Sequence, residues 1–393
     1  PGTSGAATGG QAAADAGLID DVGVVQQRAF PAAAVVTPRQ RNPAGIAGAA
    51  GRPVVVGAYQ AGDGRAGSAV ESALVGGIEV LAEPGIDGCF VEAKAMGAKS
   101  YWSRHMPVVD TRYRVIKSWG DVDDLTSPAP DEHPRMKTVI GEAGILMDKV
   151  GDHIAVAVIV SGPFSTAGNL LGHEYMFRAM VKEPDEVHSL LDKITEYSIK
   201  YHVAFKGHAH AVVTLDPIAA TEATSPKQYE EFVKPYLERD LNAIAKAGLI
   251  PINHPCGDTT GILHMAADVI PKGAPGGIHA NYGNVETRPM SLKFLRDTVG
   301  DVTLDPDDPY SIMLKAVKKE VGDKVCICGN VDPISVLLEG TPNQVRATVK
   351  RNIEYGAEGG GFIVTPGCDT NPDTPAENFK ALVDAAKEYG SYN

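Results

Sequence analysis

From residue 53 onward, short apolar runs alternate with longer stretches of helical periodicity. This alternation constrains the fold more than any other feature of the chain. The apolar runs are 53–57, 88–91, 153–160, 211–215, 249–253, 302–304, 324–328 and 361–365. Several are apolar at successive positions, as expected of parallel strands covered on both faces. Between them, Ser225-Pro226 places a capping hydroxyl before a proline in a first helical turn. Tyr229, Phe232, Val233, Leu237, Leu241 and Ile244 follow as a core-facing stripe, with Pro235 an expected kink. Pro184 opens another such helix, and a last one begins near Pro375. Eight strands alternating with helices predict an α/β fold, a single (β/α)8 TIM barrel. An open doubly wound sheet is the alternative, but no G-x-G-x-x-G follows an early strand.

Residues 1–50 are rich in Ala and Gly with few charges, and read as a loosely structured N-terminal extension. Residues 51–393 then form the barrel. The stretch 271–301, which includes GAPGGIHANYGNVETRPM, reads as an expanded loop that serves as a lid or as an oligomer contact, for instance in a homodimer. The chain carries 36 Lys and Arg against 49 Asp and Glu, a net charge of −13, which argues against nucleic acid as a general partner. No uncharged apolar run of about 18 residues marks a membrane span. The first residues lack a basic start followed by an apolar core, so a cytoplasmic protein is expected. Five sparsely placed cysteines, an odd number, do not make a disulfide framework. A cysteine outside the core is therefore a candidate ligand or nucleophile.

The reactive residues gather directly after the apolar runs. Ser165 follows the third, Asp216 the fourth, and His254, Cys256 and Asp258 the fifth. Asn330 and Asp332 follow the seventh, and Cys368 the last. In a barrel these strand ends share one mouth, the face on which such folds build their active sites. If the fifth strand continues in direction, His254 and Cys256 face one side together. Cys368 at another strand end completes a His/Cys/Cys set with a fourth tetrahedral position open, the arrangement of a catalytic rather than a structural zinc. Two thiolates and an imidazole favour Zn2+ over hard cations. Asp216 and Asp258 are the candidate catalytic carboxylates, because a carboxylate at the end of an apolar strand is costly to bury unpaired. Ser165, Asn330 and Asp332 are the candidate substrate contacts. Cys326 and Cys328 read as barrel core, as does Cys89, and His208, His210 and His264 as surface residues or as supports standing behind a site.

These residues resemble the uroporphyrinogen decarboxylase superfamily, and more narrowly its zinc-dependent branch, the corrinoid-protein:coenzyme M methyltransferases. The matching pieces are VEAKAMGA (91–98), GPFSTAGNLLGHE (162–174), EPDEVHSLLDKITEY (183–197) and SPKQYEEFVKPYL (225–237). They continue with HPCGDTTGIL (254–263), GDKVCICGNVDP (322–333) and TPGCDTNPDTPAENFKALV (365–383). The resemblance spans roughly residues 53–393 and implies a (β/α)8 barrel with its ligand in the mouth. A decarboxylase of the superfamily is expected to carry a histidine where this chain has Cys368, and an arginine-rich N-terminal signature that RPVVVGAYQAGDGRAG does not match. The H-x-C and P-G-C pieces instead imply the ligand set His254, Cys256 and Cys368. By resemblance, a small thiol such as coenzyme M exchanges a methyl group with cobalamin presented by a separate corrinoid-binding protein. Two alternatives stay open. One is a corrinoid-dependent demethylase of a methoxylated or other methylated compound. The other is a metal-free decarboxylase of the uroporphyrinogen type, which requires arginines at the mouth, where Arg104 and Arg178 are the few candidates.

Overall fold

The computed structural model describes residues 54–55, 78–80, 90–102, 107–152, 154–283, 289–306, 308–371 and 373–390. The expected boundary near residue 50, Cys89 and Arg104 lie outside the described residues. Ten strands occur among them: β1 (Val54–Val55), β2 (Ile78–Val80), β3 (Ser100–Trp102), β4 (Pro107–Val109) and β5 (Ala155–Ser161). They continue with β6 (Ala211–Leu215), β7 (Ile250–His254), β8 (Gly277–His279), β9 (Cys326–Val331) and β10 (Phe362–Pro366). Strands β3 and β4 pair with each other as an antiparallel hairpin. The other eight form one sheet in the order β1-β10-β9-β8-β7-β6-β5-β2, with every pairing parallel. The two end strands, β1 and β2, lie against each other and close the ring. The expected TIM barrel is therefore the observed fold.

Helices cover the sheet, the long ones being Pro134–Val150, Pro184–Val203, Lys234–Lys246, Pro289–Val299, Ser311–Val321, Pro342–Gly356 and Ala376–Tyr389. The Ser225 side chain accepts from the Gln228 N–H in a reciprocal capping box, so the hydroxyl read from the sequence does cap a helix. At Pro235 the chain does not simply kink. A π-helical turn, Tyr229–Val233, precedes Lys234–Lys246, because a proline without an N–H leaves its carbonyl partner to be taken up by a wider turn. The helix stripes pack on the outside of the sheet around Leu190, Leu191, Ile194, Leu241 and Ile244. A second, smaller cluster of Ala157, Ala211, Val213, Ile252, Cys328 and Ile363 fills the barrel interior. Cys328 is thus core, as its place in an apolar strand implies.

Three expectations are corrected. The run 302–304 is not a strand. Val302 and Leu304 only lean on the edge of the core, and the acidic turn after them is tied down by Arg351, which pairs with Asp305 and Asp308. The sixth barrel strand is instead β8, inside the stretch expected to be an expanded loop. It is three residues long, with Ile278 its single strand-favouring residue, but β7 and β9 pair with it on both sides and satisfy its backbone. Nor does a strand cover 88–91 in full, since Val91 opens a short helix, Val91–Ala95. The second barrel strand is β2, too short to stand out as an apolar run.

One buried charge cluster fastens helices to the sheet. His202, fully buried, lies 2.8 Å from Asp240 and 3.1 Å from Glu92, and Glu92 also accepts from the Ser161 N–H at the end of β5. Thr214 on β6 donates to Asp240. Burial alone would hold His202 neutral, but the carboxylates on its two nitrogens outweigh this and raise its pKa to about 10 from 6.5. The folded chain thus keeps a proton that the unfolded chain releases. This contribution is complete below about pH 6.5 and is lost as pH rises through about 10. Chemical denaturation is expected to show stability falling between about pH 7 and pH 10, with a smaller fall in His202→Gln. Equal stability of the wild-type chain at both ends of that window would contradict the assignment.

Candidate metal centre at the barrel mouth

Alternation along β7 decides where His254 points. Ile250 and Ile252 face the barrel interior, so His254, two residues further on, faces the same way and caps that apolar layer. The strand stops there. Pro255 cannot donate to a ladder, and Gly257 turns the chain at a φ of +88°. Cys256 therefore sits in a turn and not in a continued strand, and the turn returns its sulfur to the imidazole. On the opposite side β10 ends at Pro366 and passes through Gly367 to Cys368. A Cβ at Gly367 would lie 2.9 Å from the Asn281 Cα, so the approach tolerates only glycine.

The sulfurs of Cys256 and Cys368 are 3.6 Å apart, and Cys368 Sγ is 3.8 Å from His254 Nε2. All three ligand atoms lie within 4.8 Å of one another, the one such group of His, Cys, Asp or Glu among the described residues. His254 is buried and both cysteines are half-buried. The contact with Cys256 and burial together push the Cys368 thiol well above its ordinary range. Ionising both thiols in this position therefore needs a compensating cation. Zinc bonds of about 2.3 Å to sulfur and 2.0 Å to nitrogen, arranged tetrahedrally, separate two sulfurs by about 3.8 Å and sulfur from nitrogen by about 3.5 Å. The observed 3.6 and 3.8 Å fit that spacing, and the soft donor set suits zinc better than a hard cation.

Asp216 follows β6 and is fully buried. Its Oδ1 accepts from the Ser165 N–H at 2.7 Å, while Oδ2 has no partner among the described residues. Burial pushes its pKa up to about 7. A Cβ on Gly162 would fall 2.0 Å from Oδ2, so only glycine lets the carboxyl lie across the end of β5. Asp258 is spent on its own loop: it accepts from the N–H and hydroxyl of Thr260 and, through Oδ2, from Ser291 at 2.8 Å. Asn330 accepts from the Tyr282 N–H and donates to the Tyr310 carbonyl. Asp332 caps the turn Pro333–Leu338 through the N–H groups of Ile334 and Ser335. Ser165 is buried, and besides its N–H bond to Asp216 its hydroxyl accepts from the Ile218 N–H at 3.5 Å.

Sequence reasoning missed His279. This buried residue ends β8, with its Nδ1 2.8 Å from His254 Nδ1 and its Nε2 2.8 Å from the Pro366 carbonyl oxygen. Burial and the neighbouring His254 lower its pKa to about 3. The available signal was a histidine closing a Gly-Ile pair, hidden in a stretch read as loop. A separate cavity of about 420 Å3 lies between residues 111–114 and the start of the helix His173–Lys182, and none of the candidate metal, catalytic or substrate residues lines it, whereas Arg178, expected at the mouth, does. It contains Arg112, Arg114 and Arg178. Arg112 and Arg178 are already paired, with Asp110 and Glu174 respectively.

Known proteins share this arrangement of chain. The methylcobamide:CoM methyltransferase MtbA of Methanosarcina mazei is 25% identical over 79% of this chain and 78% of its own length. A methylated-thiol–coenzyme M methyltransferase of the same organism is 28% identical over 81% of this chain and 75% of its own. The uroporphyrinogen decarboxylase of Prochlorococcus marinus is 29% identical over 69% of this chain and 68% of its own. Among solved structures, a methyltransferase from Methanosarcina mazei superposes with a TM-score of 0.62 over 78% of this chain and 79% of its own, at 24% identity, which shows the shared fold. Residues 86–389 match the uroporphyrinogen decarboxylase (URO-D) family, and the chain belongs to that family.

Proposed function

We propose that the protein is a zinc-dependent methyltransferase that moves a methyl group between a corrinoid carried by a partner protein and a thiol such as coenzyme M. The observation that carries this reading is the meeting of one imidazole nitrogen and two sulfurs within 4.8 Å at the mouth of a URO-D barrel. Relatives over three-quarters of the chain that are named for methyl transfer to coenzyme M support it. His254, Cys256 and Cys368 would hold the metal. Zinc supplies, when bound, the Lewis acidity that keeps a thiol ionised near neutral pH.

The chain's own residues do the rest. The buried walls of the mouth exclude water and align the thiol sulfur with the methyl carbon for an in-line displacement. A corrinoid presented by the partner would supply the methyl carbon and would keep the electron pair of the bond it gives up, so the transfer would need no oxidant or reductant. Asp216, with a pKa near neutrality and Oδ2 unpartnered, can hold at that oxygen the proton released by the incoming thiol. The Ser165 N–H keeps the other oxygen fixed. Asp258 acts by holding the loop that carries Cys256, and Asn330 and Asp332 by shaping the mouth next to β9.

The Prochlorococcus relative favours a second reading, decarboxylation of a porphyrinogen, which requires no metal. Incubation with uroporphyrinogen separates the two, since release of carbon dioxide would support the second.

Protein purified without chelator is expected to carry about one zinc per chain. Cys256→Ala and Cys368→Ala should lose it, and demethylation of methylcobalamin by 2-mercaptoethanesulfonate should fall by about 100-fold or more. Zinc below about half an equivalent, together with an unaffected Cys368→Ala, would refute the proposal. A second outcome concerns the sulfurs themselves. After chelation, diamide should join Cys256 to Cys368, lowering the titratable thiols by two and leaving a single intramolecular bridge by peptide mapping, and added zinc should protect them. Two separate adducts at these cysteines would show that the sulfurs do not sit face to face.

A further inference from the structure

His279 stands between the two strands that carry the candidate ligands. The Pro366 carbonyl can only accept, so the 2.8 Å contact places a proton on His279 Nε2. The buried, neutral ring then offers Nδ1 as an acceptor. Its 2.8 Å contact with His254 Nδ1 in turn places a proton on that nitrogen. The lone pair of His254 is left on Nε2, the nitrogen 3.8 Å from Cys368 Sγ. We propose that His279 is a positioning residue for the metal centre, holding His254 in the one tautomer whose Nε2 can ligate and tying β7 to β10 through a single ring.

The tie crosses the interior of the barrel. His279 is on β8, and β9 lies between β8 and β10 in the sheet, so no ladder bond links the two strands directly. Pro366 is two residues before Cys368, so the carbonyl that orients His279 belongs to the segment that delivers the second sulfur. One ring thereby fixes the spacing of ligands from both sides of the mouth. An imidazole on a metal gains affinity when its other nitrogen is held by a partner of this kind, and loss of such a partner costs about 10- to 100-fold in metal affinity. The inference rests on the zinc reading above.

The chemistry suggests its own control. A glutamine amide carries an acceptor oxygen and a donor nitrogen about as far apart as the two ring nitrogens, so His279→Gln can accept from His254 and donate to Pro366. His279→Leu fills the space and does neither. Zinc affinity, read by competition with a chromophoric chelator, is expected to fall about 10- to 100-fold in His279→Leu and to stay close to wild type in His279→Gln. The cobalt(II)-loaded leucine variant should also show altered sulfur-to-metal charge-transfer bands, while far-ultraviolet circular dichroism stays unchanged. Equal affinity in the two variants would overturn the proposal. Independently of any variant, nitrogen-15 spectra of the zinc-loaded wild type should show His254 protonated at Nδ1, and protonation at Nε2 would equally overturn it. A wild type that binds no zinc would remove the underlying reading, an outcome distinct from zinc binding indifferent to residue 279.

Discussion

Parallel pairing of every barrel strand is the constraint on which the rest depends. Because the eight strands run one way, their C-terminal ends meet on one face, and polar residues that would each be costly in an apolar run have a shared place to go. The same register sets what lies beneath them. Ile252 and Ile363 fill the interior layer, His254 ends β7, and Cys368 follows two residues past the end of β10. The apolar layer closes the floor, so the mouth is a cup and not a channel.

Around the cup, polar atoms divide into two kinds. Asp258, Asn330 and Asp332 have their hydrogen-bonding capacity taken up by nearby backbone or hydroxyl groups, and they hold the loops at the strand ends in shape. Asp216 Oδ2 is different, being buried and unpartnered among the described residues. Leaving a carboxyl oxygen so is costly, and a proton or a ligand there would offset the cost. Further out, the His202 cluster joins three sequence-distant elements through charge buried from water, where loss of one partner leaves the others uncompensated.

Much of this was legible in the residues, for physical reasons that also mark where legibility ends. Strands β5, β6, β7, β9 and β10 are long enough for their apolar runs to stand out, and each lies within a few residues of its expected place. Strands β2 and β8 have three residues each and exist because neighbours pair with them, which no local pattern displays. The run 302–304 has strand-like residues but pairs with no strand among the described residues, and the acidic turn after it is held by Arg351 instead. At the site, cysteine and histidine at strand ends are rare enough to attract notice, so that His254, Cys256 and Cys368 could be grouped before their positions were seen. His279 was missed because its meaning lies in a contact with a carbonyl 87 residues away. That Asp258, Asn330 and Asp332 are engaged with backbone is likewise a fact of distance, not of residue type.

The central claim is that one nitrogen and two sulfurs of this chain share a single zinc ion. X-ray absorption at the zinc edge of the purified protein measures that directly. The account predicts two sulfur scatterers at about 2.3 Å and nitrogen or oxygen scatterers at about 2.0 Å in the first shell, with one sulfur lost in Cys368→Ala. A first shell of oxygen and nitrogen alone, unchanged by that substitution, would contradict it.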